Sequence, residues 1–171
     1  MTTFATKKKM IRPELDKLDC QIIKLISDDA RIPFLEVARE CGVSGAAIHQ
    51  RIQKLTHLGV LKGTRYIIDP EKTGFDLCAF IGLKLNRAES ADEVVDNIKS
   101  VPEVVECHYT TGAYDFLVKV YATDRLHLLA IIHDKLQPLG LTCSDSVISL
   151  CTPIDRQLPV LDMPPAKEEQ K

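Results

Sequence analysis

The tripeptide Gly42-Val43-Ser44 joins two short amphipathic runs, and nothing else in the chain restricts its fold so strongly. Upstream, Leu15, Leu18, Ile22, Leu25 and Ile26 recur at helical spacing, which predicts one buried stripe on a helix that ends near Asp28. Ile32-Pro33 then opens a second run, with Pro33 suited to a first helical position and Phe34, Val37, Ala38 and Cys41 on a shared face. Gly42 suits a left-handed cap at the end of that run, and Ser44 can accept hydrogen bonds from the free amides of the next helix. Two helices forced to meet at so tight a turn form a helix-turn-helix.

The third helix, roughly Gly45 to His57, turns Ile48, Ile52 and Leu55 inward. Ala46, His49, Gln50, Gln53 and Lys54 then fall on the opposite side. Such a face suits the major groove of DNA: amides can pair with the edge of adenine, His and Lys can reach guanine or phosphate, and small residues allow close approach. Arg51 borders the apolar stripe, which suits a phosphate or an internal ion pair better than a base. Val60, Leu61, Ile67 and Ile68 surround Lys62-Gly63-Thr64-Arg65, a pattern that predicts a small hairpin, a wing with Lys62 and Arg65 at its tip.

Asp69-Pro70 and Thr73-Gly74 mark a connection, and the charge changes sign across it. Residues 1–70 hold 12 Lys and Arg against 8 Asp and Glu, a net of +4, whereas residues 71–171 hold 10 against 16, a net of −6. A basic first half suits a phosphate surface and an acidic second half is repelled by one. The division expected is a flexible basic arm over 1–14 that includes Lys7, Lys8, Lys9 and Arg12, a winged helix-turn-helix over 15–69, a linker over 70–77, a second domain over 78–155 and a tail over 156–171.

The second domain alternates differently. Ala79 to Leu85 reads as a strand, Asp92 to Val101 as a helix with Val94, Val95 and Ile98 buried, and Val104 to Thr111 and Phe116 to Ala122 as strands around Gly112-Ala113-Tyr114-Asp115. Asp124 can cap a second helix in which Leu128, Leu129, Ile132 and Leu136 share a face, and a last strand runs from Leu141 to Leu150. The order β-α-β-β-α-β is the split arrangement of ferredoxin-like α+β folds, in which helices cover one sheet face only. Phe80, Val118, Val120, Val147 and Leu150 are expected on the open face, where a second copy would bury them in a two-fold dimer.

With Leu18-Asp19, Asp28-Asp29-Ala30-Arg31, Gly42-Val43-Ser44, Arg51-Ile52, Leu58-Gly59-Val60 and the turn Gly112-Ala113-Tyr114-Asp115 in this order, the chain resembles the Lrp/AsnC family of feast/famine regulators from about Leu15 to Leu150. The resemblance implies amino-acid-responsive control of transcription, with Ser44 to His57 and the wing on DNA. It also implies dimers that assemble into octamers, and an effector pocket where dimers meet, built from Thr110, Thr111, Gly112, Tyr114, Asp115, Arg125, Ser144, Ser146 and Ser149. A turn and hydroxyls donating to a carboxylate, with Asp115 accepting from an ammonium, would suit a zwitterion.

The residues also admit other readings. The chain could be an enzyme similar to the sirohaem decarboxylases, with His108, Arg125 and His127 around a cleft, or an assembly module that no longer reads DNA. No two histidines have HExxH spacing, and the six cysteines form no CxxC pair, so no metal or cofactor is expected. No apolar run of about 18 residues is present, which argues against a membrane span, and free cysteines point to a reducing, cytoplasmic setting. The expected partners are double-stranded DNA, an amino acid or similar effector, and further copies of the chain.

Overall fold

The computed structural model describes residues 13–85 and 90–158, apart from the side chains of Cys143 and Ser144. The predicted arm cations Lys7, Lys8, Lys9 and Arg12, and the tail from residue 159 onward, lie outside the described residues. The chain forms two compact units, one reaching Tyr66 and one from Ile67 to Pro153.

The first unit holds α1 (Lys17–Asp28), α2 (Phe34–Cys41) and α3 (Gly45–His57). Asp16 caps α1, its carboxylate accepting from the Asp19 amide at 2.8 Å while Asp19 reaches back to the Asp16 amide. Gly42 ends α2 in the left-handed region (φ 66°, ψ 31°), and the Ser44 hydroxyl accepts from the Ala47 amide at 3.2 Å. Ile22, Ile23, Val37, Ala38, Ile48 and Leu55 form the core, with Leu15, Leu18, Leu25, Ile26 and Ile52 packed around it. Phe34 departs from the predicted shared face. It is exposed, and its ring meets the His49 ring edge-on at 5.8 Å.

The wing is also corrected. Residues 61–69 form no strand, and Ile67 is 85% exposed. Leu61 packs on the helical core, but Tyr66, Ile67 and Ile68 are exposed with no further strand to cover them, and an isolated two-stranded hairpin is marginal in water. Tyr66 is held locally, with the Arg31 guanidinium 4.7 Å from the centre of its ring.

The second unit holds β1 (Leu77–Leu85), α4 (Ala91–Ile98), β2 (Val104–Tyr109), β3 (Phe116–Ala122), α5 (Arg125–Ala130) and β4 (Leu141–Ser149). The sheet order is β2-β3-β1-β4, antiparallel throughout. Ser90 caps α4 and Asp124 caps α5. Past Ala130 the helix widens into a π turn over Ile131–Leu136. The helical stripe centres on Leu128, Ile131, Ile132 and Leu136, which leaves Leu129 exposed, contrary to the expected face.

Strand register corrects the open face as well. Ile81 lies opposite Val118 and Ala79 opposite Val120, and all four are buried beneath the helices with Leu83, Phe116 and Ala122. Alternation therefore sends Leu117, Lys119 and Tyr121 to the open side. Phe80 and Val147 do lie there, directly opposite each other, whereas Leu150 falls beyond the end of β4 and is exposed.

Candidate nucleic-acid interface and effector site

On α3, Ala46, His49, Gln50 and Gln53 are exposed, and the helix that presents them is anchored from behind by Ile48 and Leu55. Neither glutamine amide has a hydrogen-bond partner among the described residues, so both are available to a ligand. Ser44 is occupied as the helix cap. Lys62 and Arg65 are exposed, without ion-pair partners among the described residues.

Lys54, read from the sequence onto the groove face, turns instead to an acid of α1, and Arg51, at the border of that face, forms the internal ion pair that was one of its two expected roles. Arg51 forms an ion pair with Asp16 and donates to Asp19 Oδ1 at 3.0 Å, and Lys54 Nζ donates to Asp19 Oδ2 at 2.9 Å. Asp19 is fully buried. An unpaired buried carboxylate would be very costly, so these two cations bind α3 to α1. The Arg51 hydrogen bond and the Asp19 backbone amide hold Asp16 below the usual carboxylate range, and Asp16 and Asp19 raise Arg51 further. Asp19 was not legible as a site residue from motif spacing. Its signal was an acid three and four positions before Ile22 and Ile23, within the apolar stripe.

In the second unit the hairpin between β2 and β3 carries the predicted effector turn. Gly112 takes φ +114°, which only glycine adopts readily. Asp115 knits the hairpin to β1: its amide donates to the Leu83 carbonyl at 3.0 Å, and its Oδ2 accepts from the Leu85 amide at 2.8 Å. Thr110 Oγ1 donates to the Tyr114 carbonyl at 2.7 Å, and the Thr110 amide donates to the Asp115 carbonyl. Thr110 and one oxygen of Asp115 thus serve the turn itself.

Tyr114 folds over β1. A Cβ added at Gly82 would meet the Tyr114 ring at 2.6–2.8 Å, so the ring lies directly on that glycine. Its hydroxyl donates to Asp145 Oδ2 at 2.6 Å across the sheet, and this bond to Asp145 raises the phenol pKa above its ordinary value. Neither Gly82 nor Asp145 was picked out from the sequence. A glycine inside a strand pattern was the available signal, because it often marks close approach of another group.

The rest of the predicted set divides. Asp145 lies opposite Gly82, near the turn, whereas Ser149 lies opposite Cys78, toward the other end of the sheet. Ser149 Oγ donates to the Cys151 carbonyl at 3.2 Å. Arg125 opens α5 just beyond the far end of β3, a seven-residue strand, so about 20 Å separates it from the turn within one protomer. Ser146 lies opposite Ile81 and so points to the helix side, away from Tyr114. Thr111 and Gly112 stand at the exposed tip, and the Ser144 side chain is outside the described residues.

The enzyme-like set divides in the same way. His108 lies opposite Leu117 on the open face, whereas His127 belongs to α5 on the helix side. His127 Nδ1 accepts from the Thr123 amide at 3.2 Å, leaving Nε2 to donate to Glu103 at 3.4 Å. Burial alone would raise the Glu103 pKa, but Lys135, the backbone and His127 together hold it low.

The AsnC-type helix-turn-helix domain matches residues 15–56, and the Lrp/AsnC ligand binding domain matches residues 78–159. The chain belongs to the Lrp/AsnC family. It is 37% identical over 145 residues to regulatory protein AsnC of Haemophilus influenzae, covering 84% of this chain and 97% of that protein. It is 41% identical over 110 residues to the HTH-type transcriptional regulator FL11 of Pyrococcus horikoshii, covering 64% of this chain and 72% of the relative. The structure of Escherichia coli AsnC superposes with a TM-score of 0.79 at 31% identity, covering 85% of this chain and 98% of that one. The feast or famine regulatory protein of Mycobacterium tuberculosis, complexed with L-methionine, superposes with a TM-score of 0.79 at 25% identity, covering 85% and 99%.

The resemblance read from the motifs is therefore borne out, as is the pairing of a helix-turn-helix domain with an antiparallel α+β domain. This Lrp/AsnC protein is a transcriptional regulator with a DNA-binding type of domain and a ligand-binding type of domain. Among the described residues no helix is long and apolar enough to cross a membrane.

Proposed function

We propose that this Lrp/AsnC protein reads specific duplex sequences with α3 and responds to an amino acid or similar zwitterion held by its second domain. One observation carries the DNA reading: α3 offers the exposed neutral amides of Gln50 and Gln53 beside Ala46 and His49, on a helix fixed by its core. Bidentate amide contacts discriminate by about 1–3 kcal/mol per base pair. Lys62 and Arg65 supply phosphate contacts, which set affinity and not sequence.

Mobility shifts with the DNA upstream of its own gene, across a range of salt, test this directly. Gln50→Ala or Gln53→Ala should lower preference for the site roughly 10- to 100-fold while leaving unrelated duplex binding unchanged. Lys62→Ala should weaken every sequence alike and make the logarithmic salt dependence shallower by about 0.9. Equal losses on all sequences from the glutamine variants would defeat base reading.

For the effector, the Mycobacterium tuberculosis relative complexed with L-methionine supports an amino acid. The Gly112–Asp115 turn with Tyr114 and Asp145 forms one half of the proposed site. Arg125 and Ser149 stand at the other end of the same sheet, so both halves can meet one ligand only if copies of the chain bring them together. The open face, with Phe80 and Val147 exposed, supports such association.

Asp115→Ala should abolish the heat of amino-acid binding in titration calorimetry and cost the second unit about 1–3 kcal/mol, because the Leu85 amide loses its acceptor. DNA affinity without ligand should be unchanged. A variant that still binds with full heat would remove Asp115 from the site.

A further inference from the structure

The charge on α3 is cancelled from behind. Asp19 is fully buried, yet it faces two cations of the helix proposed to lie on DNA. The Lys54 side chain keeps 44% of its surface exposed and sits one helical turn beyond Gln50, on the same flank of α3. Without Asp19 its ammonium, on a flexible four-carbon stem, could swing to a phosphate beside the base-reading residues. Arg51, with 31% exposure, is held by Asp16 and Asp19 together. Four charges thus neutralise one another between α1 and α3, and among the described residues of this unit the cations without ion-pair partners nearest α3 in sequence are Lys62 and Arg65, beyond the helix.

We propose that Asp19 is a positioning residue that sets DNA specificity, by keeping Lys54 and Arg51 off the phosphates so that α3 meets the duplex through neutral amides. This rests on the DNA reading proposed above. The physical reason is a difference in kind: phosphate contacts are blind to sequence, so a cation released onto the backbone strengthens binding to every duplex. The register set by the amides then contributes a smaller share of the total. A carboxylate behind the helix therefore trades general affinity for discrimination.

The test measures binding of the full chain to its selected site and to an unrelated duplex, from about 50 to 200 mM salt, for four proteins: native, Lys54→Gln, Asp19→Asn and the double variant. Lys54→Gln should leave the salt slope as in the native chain, because Lys54 touches no phosphate. Asp19→Asn should steepen the slope by about 0.9 on both duplexes, raise unrelated binding several-fold and lower the ratio of specific to unrelated affinity. The double variant should return to the native slope, which a merely structural effect of Asp19→Asn would not do.

A shallower slope in Lys54→Gln alone, by about 0.9, would show Lys54 on phosphate in the native complex and overturn the proposal. That measurement can overturn the proposal whether or not Asp19→Asn folds, as judged by circular dichroism. Failure of the native chain to bind any duplex at low salt would instead overturn the DNA reading and this inference with it.

Discussion

Phe116→Ala should destabilise the second unit by about 3–5 kcal/mol. Phe116 is fully buried, starts β3, pairs with Leu83 of β1 and rests 5.2 Å from the Tyr109 ring. Its removal deletes both transfer energy and packing, and the sheet on one side and the helices on the other prevent collapse into the space. For a unit of this size each kcal/mol moves the midpoint by roughly 4–8 °C, so melting should fall by more than about 12 °C. Calorimetry at one fixed protein concentration checks this, since association also shifts the midpoint. Phe116→Leu, which keeps most of the volume, should lose much less. Equal losses from both would mean that the aromatic ring, and not the filled space, is what matters.

Gly82→Ala should also destabilise, by about 1–3 kcal/mol, although alanine is ordinarily better than glycine inside a strand. The new methyl group strikes the Tyr114 ring at 2.6 Å, and the near atoms include Cγ, which cannot move without turning the whole side chain. Displacement of the ring breaks the hydrogen bond to Asp145 and disturbs the turn that carries Asp115. Amino-acid binding should therefore be lost together with stability.

The decisive control is the same change in a Tyr114→Ala background. With no ring to strike, Gly82→Ala should become stabilising by about 0.4–1 kcal/mol, since it then only restricts the unfolded chain. Chemical denaturation of the four proteins yields the coupling directly. The same sign in both backgrounds would dismiss the contact.

Local chemistry accounts for the part of this protein that is legible in its sequence. The helix-turn-helix followed from Gly42 needing a left-handed cap, Ser44 needing to cap α3, and the spacing of Ile48, Ile52 and Leu55. The second domain followed from strand alternation broken at Gly112 and Asp124. Each of these signals acts within a few residues, so one sequence contains it whole. The exposed face of α3 was legible for the same reason, as the complement of a buried stripe.

Tertiary structure alone decided the rest. Periodicity says that Val118 and Val120 share a face, but only their register against Ile81 and Ala79 says that it is the helix-covered one. It marks Arg51 and Lys54 as cations on a helix, but their pairing with Asp19 spans more than thirty residues and depends on how α1 packs. Nor could spacing reveal that Tyr114 lies on Gly82, or that Arg125 and the turn stand at opposite ends of one strand. The physical reason is common to all of them. Short-range patterns determine which side of an element is apolar, whereas the neighbour that side meets is chosen when separate elements bury their surfaces together, and charges and rings find their partners only then.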